Sequence, residues 1–158
     1  MHIGDILSPK RIAAHMRVSS RKRMLEEVSG LLRTDQNDLD ANAAFQSIVE
    51  RERLGSTAIG NGVALPHGRV KGLKTAIGAF ATLAEEIDCD ALDHKPVNIV
   101  FVLLVPENAG EEQLAFLSKL ANAFGDRKLR ERLLRAENSE DIYHVLVGVF
   151  EITDRKLS

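Results

Sequence analysis

The segment Val97-Asn-Ile-Val-Phe-Val-Leu-Leu-Val105 consists almost entirely of β-branched and aliphatic residues, and Pro106 follows it directly. An unbroken apolar run of this length, without the polar alternation of a half-exposed strand, is typical of a strand covered on both faces. Proline fixes φ and has no N–H to donate, so Pro106 is expected to end the strand. Residues 97–105 are therefore predicted to form a central strand with further layers on each side.

Helical periodicity occurs on both sides of this strand in the sequence. Downstream, Leu114, Leu117, Leu120, Ala121 and Phe124 fall on one helical face, which predicts a buried core stripe that ends near glycine 125. The same reasoning and the capping residues predict four more helices. The first has apolar residues over 24–32 and is capped by Ser19 or Ser20, and the second runs from Asp40 to Gly55. The third covers residues 127–135, and the fourth is capped by Asn138 or Ser139.

Three further segments are predicted as strands. They cover residues 11–16, 75–83 and 87–92, with the acidic pair Glu85-Glu86 separating the last two. The cluster Asp93-His-Lys-Pro96 then predicts a turn before the central strand. Helices on either side of a run of strands indicate an α/β fold, with a central mixed β-sheet flanked by helices. No repeat or low-complexity linker divides the sequence, so residues 1–158 are predicted to form a single domain.

Composition restricts the class of protein. The chain has 158 residues, of which 44% are hydrophobic and 28% charged, and such a composition excludes a disordered chain. The formal charge of −2 argues against a dedicated nucleic-acid-binding protein, which usually carries a basic excess. The longest apolar run, residues 99–105, is far shorter than a membrane span of roughly 20 residues.

Cysteine usage and the N-terminal residues predict a cytoplasmic protein. Cys89 is the one cysteine, so no internal disulfide can form and a thiolate-rich zinc site is excluded. The N-terminal residues include Asp5 and lack the apolar run of a secretory signal. We predict no metal site.

The glycine-rich stretch Gly55-Ser-Thr-Ala-Ile-Gly-Asn-Gly-Val-Ala-Leu-Pro-His-Gly-Arg69 is where we expect chemistry. Residues 55–72 are predicted to be mostly loop around a short apolar piece at 63–65. Gly55 and Gly60 have the spacing of a Walker A loop, but Asn61 and Gly62 stand where that motif requires Lys and Ser or Thr. A dinucleotide-binding loop is also excluded, because its third glycine is absent. We therefore predict no nucleotide cofactor.

His67 is the candidate nucleophile within this stretch. Pro66 restricts the chain before it, and Gly68 is expected to leave space beside the imidazole for an anionic group. Arg69 and Arg51 supply permanent positive charges that could gather phosphate oxygens. A neutral imidazole in that setting could accept a phosphoryl group and pass it on. A turn histidine with only a structural hydrogen bond is the alternative that the residues alone leave open.

A family resemblance favours the first interpretation. Residues 50–69 resemble the active-site signature of phosphotransferase-system IIA proteins of the fructose–mannitol type, and most closely the nitrogen-regulatory IIA proteins, which consist of one domain. Residues 91–97, the central strand and the helices over 129–146 are similar to the same family. The resemblance implies the family's α/β fold over nearly the whole chain.

The resemblance also implies roles for individual residues. His67 matches the histidine that accepts the phosphoryl group from the phosphocarrier HPr or a paralogue of it. Arg51 matches the arginine that pairs with the phosphoryl group, and Ser56 and Thr57 occupy hydroxyl positions near the site. The implied activity is a transferase reaction with a regulatory output, in which the phosphorylation state of His67 controls the binding of partner proteins.

One position departs from the family pattern. Many members carry a second active-site histidine in a His-Leu-x-x-Leu motif, and here that motif is Gln113-Leu-Ala-Phe-Leu117. An amide can donate a hydrogen bond to phosphate, but it cannot titrate. We expect Gln113 to lie near the His67 ring, with onward phosphoryl transfer in question. The alternatives are a binding module that regulates partners without phosphorylation, and the IIA component of a sugar permease.

Overall fold

The computed structural model describes residues 1–36 and 38–157, with side chains up to residue 151 apart from that gap. The six helices are α1 (Ile3–Ile6), α2 (Arg21–Leu32), α3 (Ala41–Arg53), α4 (Glu111–Phe124), α5 (Arg127–Arg135) and α6 (Ser139–Leu157). The six strands are β1 (Ile12–Met16), β2 (Ala58–Gly60), β3 (Val63–Ala64), β4 (His67–Val70), β5 (Ile77–Ile87) and β6 (Val97–Pro106). A short 3-10 helix, Pro9–Arg11, precedes β1.

The strands form one mixed sheet with β6 near its centre. The order is β1-β5-β6-β3-β2, and β4 also pairs with β6. β5 runs antiparallel to β6, whereas β3 and β4 run parallel to it. The predicted fold class, a mixed sheet flanked by helices, is confirmed.

Both faces of β6 are buried, as its unbroken apolar sequence predicts. Val100, Val102 and Leu104 belong to a core with residues of α2 and α3, including Val28 and Ile48. The opposite face of the sheet packs on α1, α4, α5 and α6 through a second core. This core contains every phenylalanine except Phe45, namely Phe80, Phe101, Phe116, Phe124 and Phe150. The helix caps are also as expected, since Ser20, Asp40 and Asn138 each accept a hydrogen bond from a backbone N–H of the first turn.

The strand prediction after residue 75 is wrong in one respect. A single strand, β5, continues through Glu85-Glu86 to Ile87, and residues 88–92 are not in a strand. The acidic side chains do not interrupt the strand, because both are exposed and neither has to be buried in the core. A register irregularity between Thr82 and Ile87 precedes the last pair, Ile87 with Val97.

The loop prediction for residues 55–72 is also wrong. This segment contains β2, β3 and β4, joined in part by a turn at Gly60, Asn61 and Gly62, whose φ angles are 95°, 57° and 81°. These strands have two to four residues, which is too short for a periodic pattern to reveal them. They form only in the folded protein, where β3 and β4 pair with β6 and β2 pairs with β3.

Two N-terminal features were not predicted. The helix α1 buries Ile3 and Ile6 against the second core. Arg11, the predicted first residue of a strand, lies in the 3-10 helix and is buried, with one guanidinium nitrogen 2.7 Å from both carboxylate oxygens of Asp35.

No helix in the described part of the chain is long and apolar enough to cross a membrane.

Candidate functional site

A cleft of about 310 Å³ opens between α3, β4 and the N-terminal half of α4. The register of the sheet brings these elements together, because His67 at the start of β4 pairs with Leu103 on β6. Five predicted site residues line the cleft: Arg51, His67, Gly68, Arg69 and Gln113. The other lining residues are Ser47, Glu50, Leu54, Leu103, Val105, Ala109, Gly110, Leu114 and Leu117.

The His67 ring is held in one orientation by its own backbone. Its Nδ1 atom lies 2.8 Å from the carbonyl oxygen of Leu65. A carbonyl oxygen only accepts hydrogen bonds, so Nδ1 must carry the proton for this contact to be favourable. The neutral ring then has its lone pair on Nε2, which is the nitrogen available to react.

The surroundings of His67 favour the neutral ring. Burial lowers the pKa of His67 below its ordinary value, and the positive charges of Arg51 and Arg69 lower it further. The hydrogen bond to Leu65 and the negative charge of Glu52 act in the opposite direction but do not cancel the decrease. The imidazole is therefore predominantly uncharged at neutral pH, as a nucleophile must be.

Two guanidinium groups enter the cleft from different elements. Arg51 lies in the last turn of α3, half-buried, and donates from Nη1 to the carbonyl oxygen of Gly55 at 2.9 Å. Arg69 on β4 donates from Nη1 to the carbonyl oxygens of Glu107 and Ala109, at 3.1 and 2.5 Å. Arg69 thus ties the strand that carries His67 to the loop that leads into α4. Both arginines keep further N–H groups for an anion.

Gln113 lines the same cleft as His67, at the third position of α4. Its Oε1 atom accepts a hydrogen bond from the backbone N–H of Gly110 at 2.9 Å, which caps the helix. With the oxygen used in this way, the amide Nε2 is the part of the side chain that can donate to a ligand.

Ser56 and Thr57 are not brought to the cleft. The Ser56 hydroxyl donates to the carbonyl oxygen of Cys89 at 2.5 Å and accepts from the N–H of Ala58. The Thr57 hydroxyl is buried and donates to the carboxylate of Glu52. Either hydroxyl would have to break its present hydrogen bond before it could donate to a phosphate.

The absence of a side chain at Gly68 makes room for a helix, not for an anion. A Cβ atom at this position would lie 2.5 Å from Ser47 Oγ and 2.9 Å from the Ser47 carbonyl carbon. The space that the sequence suggested for a ligand is therefore filled by α3. Gly68 still lines the cleft through its backbone.

Two exposed leucines at the edge of the cleft were not predicted. Leu54 is 86% exposed and Leu114 is 60% exposed. Leu114 was predicted to be in the core, which is wrong: the buried stripe of α4 consists of Phe116, Leu120 and Phe124. The sequence contains two overlapping apolar stripes on this helix, and periodicity alone does not tell which one faces the sheet.

No metal-binding cluster occurs among the residues that the structure describes. Nowhere in them do three or more His, Cys, Asp or Glu side chains come together in a way that could hold an ion. The cleft is lined by two arginines, an imidazole and an amide against one carboxylate, that of Glu50, and this excess of donors and positive charge is suited to an anion.

Comparisons with known proteins agree on one family. The family model described as "Phosphoenolpyruvate-dependent sugar phosphotransferase system, EIIA 2" matches residues 5–148. A nitrogen regulatory protein of Pseudomonas aeruginosa is 40% identical over 149 residues, which are 94% of this chain and 97% of that protein.

Solved structures are similar as well. The crystal structure of nitrogen regulatory protein IIA-Ntr from Neisseria meningitidis matches with a TM-score of 0.85 and 45% identity, covering 91% of this chain and 98% of that one. Enzyme IIAMTL of Escherichia coli, solved in complex with phosphorylated enzyme IIBMTL, matches with a TM-score of 0.74 and 19% identity, over 90% of this chain and 97% of that one. At that identity the likeness shows a shared fold.

Proposed function

Because the chain belongs to the EIIA type 2 family of the phosphoenolpyruvate-dependent phosphotransferase system, we propose that it is a cytoplasmic phosphohistidine carrier of the nitrogen-regulatory kind. His67 accepts the phosphoryl group from the phosphocarrier HPr or a paralogue, and its phosphorylation state regulates partner proteins. The observation that carries this proposal is the Nδ1 contact with Leu65, which leaves Nε2 as the reactive nitrogen of a half-buried, neutral imidazole.

In the proposed step, the lone pair of His67 Nε2 attacks the phosphorus of the donor's phosphohistidine. The donor's P–N bond breaks, its ring nitrogen keeps the electron pair, and a new P–N bond forms on Nε2. The ring of His67 retains its proton on Nδ1 and gains positive character. The Leu65 carbonyl oxygen, already 2.8 Å away, stabilises that N–H as the charge develops.

The charged groups of the cleft are proposed to bind the transferred group. Arg51 and Arg69 approach from α3 and β4, and their remaining N–H groups can donate to the phosphoryl oxygens. The amide of Gln113 is a third possible donor. No nucleotide or metal takes part in this scheme.

The edge of the cleft is suited to a protein partner. Leu54 and Leu114 expose apolar surface beside the proposed phosphoryl acceptor. The related fold of enzyme IIAMTL forms a complex with a phosphorylated protein, enzyme IIBMTL. A phosphoryl group adds about −1.5 to −2 charges at neutral pH, so phosphorylation of His67 would change the binding of any partner that covers this edge.

A binding module that is never phosphorylated is the second candidate. The observation in its favour is Gln113, whose oxygen serves as a helix cap and which cannot titrate as the family's second histidine can.

One experiment separates the two candidates. The protein is incubated with phosphoenolpyruvate, enzyme I and HPr, and its intact mass is measured. We expect a gain of one phosphoryl group, stable in alkali and labile in acid, which His67→Ala abolishes while the protein remains folded. A wild-type protein that stays unmodified would support the binding module. A phosphorylated His67→Ala protein would overturn the assignment of the acceptor.

A further inference from the structure

A buried carboxylate lies behind the cleft. Glu52 directly follows Arg51 on α3, yet it does not line the cleft, and its side chain is 9% exposed. Both of its oxygens are bonded: Oε1 accepts from the Thr57 hydroxyl and Oε2 accepts from Arg21 Nη2 at 2.6 Å. Arg21 also donates to Asp90 at 3.1 Å. A buried charge of this kind is tolerated because it is paired on both sides.

A chain of hydrogen bonds connects Glu52 to the histidine. The Thr57 hydroxyl binds Glu52, while the Thr57 carbonyl oxygen accepts from the Leu65 N–H at 3.0 Å. The carbonyl oxygen of the same Leu65 accepts from His67 Nδ1 at 2.8 Å. The group that fixes the protonated nitrogen of His67 is therefore itself held by Thr57, and Thr57 is held by Glu52.

We propose that Glu52 is a positioning residue for phosphoryl transfer, which acts through Thr57 and Leu65 to fix the ring orientation and the proton of His67. The proposal rests on the function proposed above. In this proposal Thr57 holds the Leu65 carbonyl in place and its hydroxyl does not contact the phosphate. The Glu52 carboxylate, which takes no part in the transfer step described above, holds Thr57.

The charges around the two residues support this arrangement. Glu52 opposes the decrease in the pKa of His67, whereas burial and the two cleft arginines produce it. Removing the charge of Glu52 is therefore expected to lower the pKa of His67 further. The charged groups that act on His67 are Arg51 and Glu52 on α3 and Arg69 on β4. Glu52 in turn faces Arg21 on α2 and Cys89 in the segment after β5.

The test uses Glu52→Gln, which keeps the size of the side chain but removes the negative charge that Thr57 and Arg21 bind. Nitrogen-15 NMR of the unphosphorylated protein gives the titration midpoint and the tautomer of His67. We expect a lower midpoint, a mixture of tautomers and a phosphorylation rate reduced by roughly tenfold, since small misplacements of reacting groups are costly. Glu27→Gln removes an exposed carboxylate paired with Arg23 and should leave all three unchanged.

The proposal is overturned if folded Glu52→Gln keeps the wild-type midpoint or tautomer, even when it is less stable to heat. If Glu52→Gln does not fold, Thr57→Val decides, because it removes the hydrogen bond between Thr57 and Glu52 while the charge of Glu52 remains. A pure Nδ1–H tautomer in Thr57→Val would then refute the proposal, and a mixture would support it. The NMR measurements need no phosphoryl donor, so they stay informative if the wild-type protein is not phosphorylated and the proposed function fails.

Discussion

At the scale of single residues, two substitutions distinguish bidentate binding by Arg51 from the effect of its positive charge alone. If the planar fork of Arg51 binds the phosphoryl oxygens, Arg51→Lys should impair transfer almost as much as Arg51→Ala, because an ammonium group cannot reproduce the bidentate geometry. Loss of one such preorganised donor typically costs about 2.7–4 kcal/mol in the transition state. Stopped-flow transfer rates from phosphorylated HPr measure this.

The pKa of His67 provides a control for the Arg51 variants. Arg51 lowers the pKa of His67, so Arg51→Ala should raise it, and phosphorylation should then decline at a higher pH as the solution is acidified. Arg51→Lys keeps the charge and should leave the pH profile near that of the wild type. Transfer rates within about twofold of wild type for both variants, against the expected loss, would show that Arg51 does not bind the phosphoryl group.

Gln113 tests the departure from the family motif. Replacing it with histidine should preserve phosphorylation of His67 and raise onward transfer to a sugar-specific IIB acceptor, because a protonated imidazole forms a charge-assisted bond about twice as strong as that of a neutral amide. Transfer from the phosphorylated protein to a purified IIB domain is the measurement. An unchanged rate would mean that a second histidine is dispensable in this cleft.

At the scale of the elements, the contact between α3 and β4 depends on Gly68. Gly68→Ala would place a Cβ atom within 2.9 Å or less of Ser47, including its backbone, so α3 would have to move. We expect the free energy of unfolding to fall by about 1–3 kcal/mol, as is usual for overpacking. Urea denaturation measures the change.

The control for Gly68 is Gly30, on the exposed side of α2. A Cβ atom at Gly30 would meet nothing within 4 Å. Because alanine is a better helix former than glycine, Gly30→Ala should raise the free energy of unfolding by up to about 1 kcal/mol. Equal effects of the two substitutions would contradict the packing argument.

At the scale of the whole molecule, the two ends of β6 present different surfaces. Leu54 and Leu114 lie at the edge of the cleft, near the end of β6 that pairs with β4, whereas Leu92 is 96% exposed in the segment before β6 begins. We expect Leu54→Glu and Leu114→Glu to slow transfer from phosphorylated HPr by about tenfold or more, since each would bury a charge against the partner. Both variants should keep the wild-type thermal stability.

Leu92→Glu is the matched control for this surface. It changes a leucine that is even more exposed than Leu54 and Leu114 and that precedes the other end of the strand, and the transfer rate should stay at the wild-type value. A similar loss of rate in Leu92→Glu would show that the partner does not dock selectively at the edge of the cleft.

The sequence by itself determined the parts of this protein that depend on local patterns. The apolar run of β6 predicted a strand with both faces buried, and Ser20 and Asp40 marked the starts of α2 and α3. Periodicity and capping are properties of neighbouring residues, so they can be read without knowing the fold. The family resemblance singled out His67, Arg51 and Gln113, and they line one cleft.

Only the tertiary structure decided which groups meet across the chain. The short strands β3 and β4 form because β6 supplies their hydrogen-bonding partners, and β2 forms because it pairs with β3. A segment of two to four residues is too short for its sequence pattern to predict such a strand. The space at Gly68 is filled by Ser47, and the Thr57 hydroxyl binds Glu52 instead of facing the cleft. The tautomer of His67 likewise follows from the position of the Leu65 carbonyl oxygen. Each of these contacts depends on backbone geometry and on packing between elements, which residue types and spacing do not specify.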